Sequence, residues 1–161
     1  NGQLKYIEKI STGRETFEMK RRTTVNHGPD NSYWSITPTG YYTPMWLSKD
    51  HRSNSWRTDM PFAMFFDIKN GLALHEVPPK ALGALGNRAS GGCIRQPPYL
   101  AQTLFNLVEA TQGTPIPQFN INGQVARNEN GEIVYTTRHQ LATGQTFPTY
   151  SVLIIIQDVV D

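Results

Sequence analysis

The sequence predicts a mainly β fold with one or two helices, and three observations carry that reading. Asn-Gly pairs stand at Asn70-Gly71, Asn122-Gly123 and Asn130-Gly131, and Asn-Gly accommodates the positive φ angles of tight hairpins. Apolar residues come mostly in short runs of strand length. Helical periodicity holds over one stretch only, from Pro98 to Thr111.

In chain order the strand candidates are Leu4 to Ile10, Gly40 to Leu47, Pro61 to Ile68, Leu72 to His75, Glu132 to Thr137 and Ser151 to Gln157. Pro61 to Ile68, Asp67 apart, and Val152 to Ile156 are apolar without alternation, which predicts central strands covered on both faces. Between Pro98 and Thr111, Leu100, Leu104, Leu107 and Val108 follow the i, i+4, i+7, i+8 stripe of a helix packed on a sheet. Pro97 and Pro98 suit its start and Gly113 its end. A second, short helix is placed at Pro79 to Leu85. With 161 residues, 38% hydrophobic and 17% charged, the chain has the material for one core and too little charge for disorder. Residues 1–161 are therefore expected to form a single domain. The segment 112–149, rich in Gly, Asn, Thr and Pro, is an atypical excursion before the last strand.

Several function classes are disfavoured at this stage. The formal net charge is +2, and the densest basic cluster, Lys20-Arg21-Arg22, reads as a solvated strand end, so no nucleic-acid partner is expected. The longest apolar run, Val152 to Ile156, is far below the roughly 18 residues of a membrane span, so no membrane insertion is expected. A single cysteine excludes an internal disulfide. No His, Cys, Asp or Glu grouping has metal-ligand spacing, so neither metal nor cofactor is expected. The chain opens at Asn1 and is read as a mature or trimmed form, which makes the absence of a signal segment uninformative.

The chemistry concentrates around the one cysteine. The hairpin from Phe62 to Leu74 delivers His75 to a sheet edge, and Ser90-Gly91-Gly92-Cys93-Ile94-Arg95 follows after fourteen intervening residues. A lone cysteine is more often a small buried hydrophobe, but this context has the parts of a thiol acyl-transfer site. The thiolate is the nucleophile, so a base or a positive dipole must favour it, and the start of the following helix is a candidate source of that dipole. The glycines before Cys93 allow close substrate approach and turn backbone N–H groups toward an oxyanion. Arg95, two residues on, would share a side with Cys93 in extended chain and hold a carboxylate bidentately. His27, His51 and His139 sit in polar, turn-like contexts and are expected to be structural or solvated. The stretch from Tyr42 to Asp59 holds Trp46, His51, Arg52, Trp56 and Arg57. It reads equally as a loop for carboxylate-bearing ligands or as an ordinary loop anchored by its tryptophans.

These residues resemble the catalytic domain of bacterial L,D-transpeptidases. That family's signature is a His, a gap of this length, then Ser-His-Gly-Cys, an apolar residue and Arg or Asn; here it reads His75, then Ser90 to Arg95. Ile10-Ser11-Thr12-Gly13, Thr37-Pro38-Thr39-Gly40-Tyr41 and Met60-Pro61-Phe62 resemble three further family segments, in the same order. The resemblance implies a β-sandwich or barrel-like sheet with a helix after the Cys loop. It implies peptidoglycan stem peptides as partner and substrate, a periplasmic or cell-envelope location, and susceptibility to carbapenems. It also implies roles: Cys93 as nucleophile, His75 as base, the Glu76 backbone carbonyl orienting the imidazole, and the Gly92 and Cys93 N–H groups as oxyanion donors. Ser90 would support the loop, and Arg95, Gly91, Trp46, Trp56 and Phe62 would contact substrate. In the family the Cys cleaves a diaminopimelate–D-Ala bond, releases D-Ala and passes the acyl group to an amine, or to water in an L,D-carboxypeptidase. Two departures stand out: Gly91 replaces the usual His, and Glu76 replaces a small residue. A non-catalytic cell-wall binding module of the same fold is the rival that Gly91 favours. A papain-like peptidase is disfavoured because its nucleophile precedes its His in sequence.

Overall fold

The structure is a computed structural model and describes residues 3–19, 32–120, 124–141 and 143–158. Lys20-Arg21-Arg22, His27 and the Asn122-Gly123 turn lie outside the described residues. In chain order the strands are β1 (Thr12–Gly13), β2 (Phe17–Met19), β3 (Ser32–Trp34), β4 (Gly40–Tyr42), β5 (Trp46–Ser53), β6 (Thr58–Asp67), β7 (Leu72–Glu76), β8 (Arg88–Ser90) and β9 (Ile94–Gln96). They continue as β10 (Ile116–Pro117), β11 (Tyr135–Thr136), β12 (Arg138–Gln140), β13 (Thr146–Pro148) and β14 (Ile154–Ile156). A 3-10 helix spans Pro79–Ala84, and one α-helix, α1, spans Pro98–Glu109. The fold is mainly β, as the turn signals predict, and no barrel closes among the described residues.

The largest sheet runs in the order β5-β6-β7-β9. β5, β6 and β7 are successive antiparallel neighbours, and β9 joins β7 in parallel. The β6–β7 turn is fixed by Asp67, whose Oδ1 accepts the Asn70 N–H at 3.1 Å, and by Gly71 at φ 71°, a left-handed conformation that glycine adopts without a Cβ clash. Ala63 through Phe66 on β6 are all buried, so the central position read from the unalternating run is correct. One face carries Met60, Ala63, Phe65 and Ala73, with Cys93 packed against them. The other packs Met64 on Phe105 and Val108 of α1 and on Tyr150. Each large apolar side chain buried this way contributes about 1.5–3 kcal/mol.

β6 is not a regular strand throughout. Regular alternation would put residues 60, 62 and 64 on one face. Instead Met60 joins the cluster of Ala63 and Phe65, whereas Phe62 packs with Met64 and Phe105. The alternation breaks at Phe62, whose φ is +55°, an outlier for a bulky side chain. The break turns Met60 toward the face that carries Cys93.

Other expectations need correction. Leu4 to Ile10 is not a strand but exposed, irregular chain; the first pairing of this segment is the Ser11 bridge to Arg95. Gly40 to Leu47 is two strands separated at the buried Pro44, not one. The stretch from Tyr42 to Asp59 is not a loop: it is largely β5 and the start of β6, joined by a turn at 54–57. Val152 to Ile156 is not central. Among the described residues β14 pairs only with β4, and Leu153 and Ile155 are exposed on the uncovered face. In α1 the buried face is Leu100, Ala101, Phe105 and Val108, while Leu107 is exposed. Among the described residues of 112–149, β10 pairs with β11 and β12 with β13, both antiparallel, and isolated bridges join Phe119 to Val125 and Arg127 to Ile133.

Candidate active site

His75 stands near the end of β7 and is 3% exposed. Its Nδ1 lies 2.6 Å from the Glu76 backbone oxygen. Burial lowers its pKa to about 4, against the opposing pull of the Glu76 hydrogen bond, with Arg95 and His51 adding to the depression. The ring is therefore neutral near pH 7. Because a carbonyl only accepts, Nδ1 carries the proton and donates it to Glu76 O, which leaves Nε2 as a bare acceptor.

Strand register brings the other partners to this ring. In the parallel β7–β9 pair, His75 stands opposite Arg95 and Leu74 opposite Ile94. Cys93 precedes β9, two residues before Arg95, and with the side-chain period of two falls on the same face. His75, Cys93 and Arg95 all line one cleft. The thiol Sγ donates weakly to Gly71 O at 3.8 Å, so the β6–β7 turn also bounds the nucleophile.

The loop before Cys93 is held by side chains that the sequence pieces supply. Ser90, fully buried, donates from Oγ to Cys93 O at 2.5 Å and accepts the Gly92 N–H at 3.0 Å. Thr37 Oγ1 donates to Gly92 O at 2.8 Å and accepts the Gly13 N–H at 2.9 Å. Thr37 thus ties the Ser-Thr-Gly and Thr-Pro-x-Gly segments to the cysteine loop. Gly92 has φ +120°, and a Cβ there would meet Ile36 O at 2.8 Å, so this position takes only glycine. Two expectations change here. The Gly92 N–H is engaged by Ser90, so it becomes an oxyanion donor only if that bond opens. The helix N-terminus is not beside the thiol: β9 intervenes, and four extended residues carry the chain about 13 Å from Cys93 to Pro97, beyond the reach of a helix-end dipole.

The cleft measures about 850 Å³. Arg14, Arg95, Lys69 and Lys80 line it together with His51 and His75, and no Asp or Glu is among its described lining residues. Arg95 Nη1 donates to Ala89 O at 3.0 Å while its buried Nε has no hydrogen-bond partner; burial lowers its pKa. Arg14 Nη1 donates to the same carbonyl at 2.6 Å, and its fork also engages Glu18.

Of the residues expected to contact substrate, Arg95, Gly91 and Trp56 line the cleft. Trp46 does not; its ring stacks on Phe65 at 4.6 Å and meets His51 edge-on at 5.5 Å, bracing the wall from behind. Phe62 does not either, because the turn at φ +55° directs its ring onto Phe105 at 5.7 Å. Arg52 pairs with Asp59 on exposed surface, and neither Arg52 nor Arg57 lines the cleft. His51, expected to be structural or solvated, is on β5 opposite Met60 and lines the cleft. His139 is on β12 with Nε2 buried. Arg14, Tyr33 and His51 are cleft residues that sequence reasoning missed. Thr12-Gly13 was recognised one residue from Arg14, the only available signal; nothing local marks Tyr33.

A profile of the L,D-transpeptidase catalytic domain, YkuD, matches residues 1–117, and the chain belongs to this family. Solved structures similar to it include an L,D-transpeptidase from Mycobacterium smegmatis, 17% identical over 66% of this chain and 46% of that one, with a TM-score of 0.49. An L,D-transpeptidase from Mycobacterium tuberculosis H37Rv is 24% identical over 62% of this chain and 37% of that one, with a TM-score of 0.44. The L,D-transpeptidase LdtMt1, solved in complex with imipenem, is 19% identical over 66% and 46%, with a TM-score of 0.47. The chain thus spans less than half the length of these proteins. No curated protein matches it.

Proposed function

We propose that this chain is an L,D-transpeptidase of the cell envelope that acts on peptidoglycan tetrapeptide stems through a thioester on Cys93. Cys93 Sγ attacks the carbonyl of the diaminopimelate–D-Ala bond, and His75 Nε2 takes the thiol proton. The tetrahedral adduct collapses as that proton passes to the departing amine, releasing D-Ala and leaving the thioester. An amine of a second stem then attacks the thioester and gives its proton to Nε2, and the expelled Cys93 thiolate takes that proton back.

The observation that best supports this reading is the His75 ring. Burial keeps it neutral, and its Nδ1 donates to Glu76 O, which presents a proton-accepting nitrogen in the same cleft as the chain's one cysteine. General-base catalysis requires this protonation state. The lining supports an anionic substrate, since stem peptides carry the D-Ala and diaminopimelate carboxylates and the described lining offers cations and no acid. Binding of a carbapenem at Cys93 belongs to the same reading.

The experiment is to incubate the protein with purified tetrapeptide muropeptides and resolve the products by mass spectrometry. Cross-linked dimers lacking one D-Ala support transpeptidation. Tripeptides without dimers replace the amine acceptor with water and make the chain an L,D-carboxypeptidase. Unchanged tetrapeptide leaves the binding-module reading standing and removes this one.

A further inference from the structure

Gly91, two residues before the nucleophile, is a position where a side chain would have to displace the end of another. An ideal Cβ there would lie 2.6 Å from the Tyr33 hydroxyl and 3.4 Å from the Trp56 ring. The two rings meet edge-on at 6.1 Å, and both residues line the cleft with Cys93 and Arg95. β3, which carries Tyr33, pairs with β2, so this hydroxyl reaches the cysteine loop from a hairpin remote in sequence. Burial holds the phenol well above its ordinary pKa, and its hydroxyl is close enough to Glu18, Arg14, Cys93 and Arg95 to feel their charges. It therefore keeps its proton and can donate a hydrogen bond.

We propose that Tyr33 is a substrate-contacting specificity residue: its hydroxyl fills the space that a side chain at position 91 would take and donates to a ligand carboxylate held beside Arg95. Gly91 and Tyr33 are then one device. The glycine admits the hydroxyl to the thiol's side, and the Arg95 Nε, which lacks a partner, supplies a second donor to the same anion. This rests on the stem-peptide reading for the identity of the ligand, but the anion contact itself is testable without it.

Iodoacetate and iodoacetamide both alkylate Cys93 by displacing iodide from carbon, and only the first carries a carboxylate. The parent, Tyr33→Phe, Gly91→Ala and the double variant are compared by the ratio of the two rates, from intact mass, with folding checked by circular dichroism. Tyr33→Phe should lower the iodoacetate-to-iodoacetamide ratio by about ten-fold, the size expected for one hydrogen bond to a charged group. Gly91→Ala should lower it comparably by displacing the hydroxyl, and should add little in the Tyr33→Phe background. If Tyr33→Phe fails to fold, Gly91→Ala alone carries the test. An unchanged ratio in the folded single variants overturns the proposal, as does a double variant whose losses simply multiply. Muropeptide turnover by the parent with an unchanged ratio would defeat the Tyr33 assignment and leave the stem-peptide reading intact. A lowered ratio with no turnover by the parent would do the reverse.

Discussion

Ser90→Ala isolates how the cysteine loop is held. Ser90 is fully buried and links two backbone groups, donating to Cys93 O at 2.5 Å and accepting the Gly92 N–H at 3.0 Å. Alanine removes both bonds without leaving a cavity larger than one oxygen. The Gly92 N–H then has no partner in a buried position, while Cys93, only partly buried, can turn its carbonyl to water. An unsatisfied buried group costs about 1–3 kcal/mol and a lost exposed bond about 0.5–1.5 kcal/mol, so the variant should lose about 2–4 kcal/mol. For a domain of this size each kcal/mol moves Tm by about 2–4 °C, giving a fall of about 5–15 °C by calorimetry. Far-ultraviolet circular dichroism should be unchanged at low temperature, because the sheet and α1 do not depend on this hydroxyl. A Tm within about 1 °C of the parent would refute the bracing argument, and a loss of turnover at unchanged Tm would show that Ser90 acts on the chemistry instead.

Three further outcomes follow from the same geometry. The His75 pKa is near 4 when folded and about 6.5 when unfolded, so the unfolded state gains a proton first as pH falls. Stability should therefore decline from pH 6.5 to pH 4 by about 3 kcal/mol, and denaturant titrations across that window should show His75→Gln losing this component; equal slopes in both proteins would contradict a buried neutral ring. Arg95→Ala should cut kcat/KM on tetrapeptides by about ten- to a hundred-fold, and Arg95→Lys should restore part, since a point charge lacks the planar fork. A matching fall in Tm and in iodoacetamide alkylation would make Arg95 only the brace of Ala89. A carbapenem should add its mass to the parent and not to Cys93→Ala; no adduct at large excess would count against the acyl-transfer reading.

The residues of the site that are close in sequence were legible, and those brought by pairing were not. His75 with its Glu76 carbonyl, and Ser90 to Arg95, are local arrangements whose spacing already implies their strands. Thr37 was visible as part of a motif, but its bonds to Gly13 and Gly92 appear only when three distant segments meet. Arg14, Tyr33 and His51 reach the cleft from hairpins and a strand whose register no local pattern encodes. Most of β5 is not legible as a strand because Ser48, Lys49, Asp50, Arg52 and Ser53 are polar, as suits an edge strand with one exposed face. Phe62 sits in a segment that resembles the family's, but its positive φ, which no local pattern encodes, turns its ring onto Phe105 and away from the cleft. Val152 to Ile156 has the apolar content of a central strand, but content alone does not say that both faces are covered, and β14 leaves one open.

The most direct test of the account is the intact mass of the protein during reaction with a purified tetrapeptide muropeptide, quenched in acid to preserve thioesters. The account predicts a transient adduct equal to the muropeptide less D-Ala, mapped to Cys93 by peptide analysis and absent from Cys93→Ala. Muropeptide turnover that persists in the folded Cys93→Ala variant, or turnover by the parent with an adduct on any other residue, would contradict it.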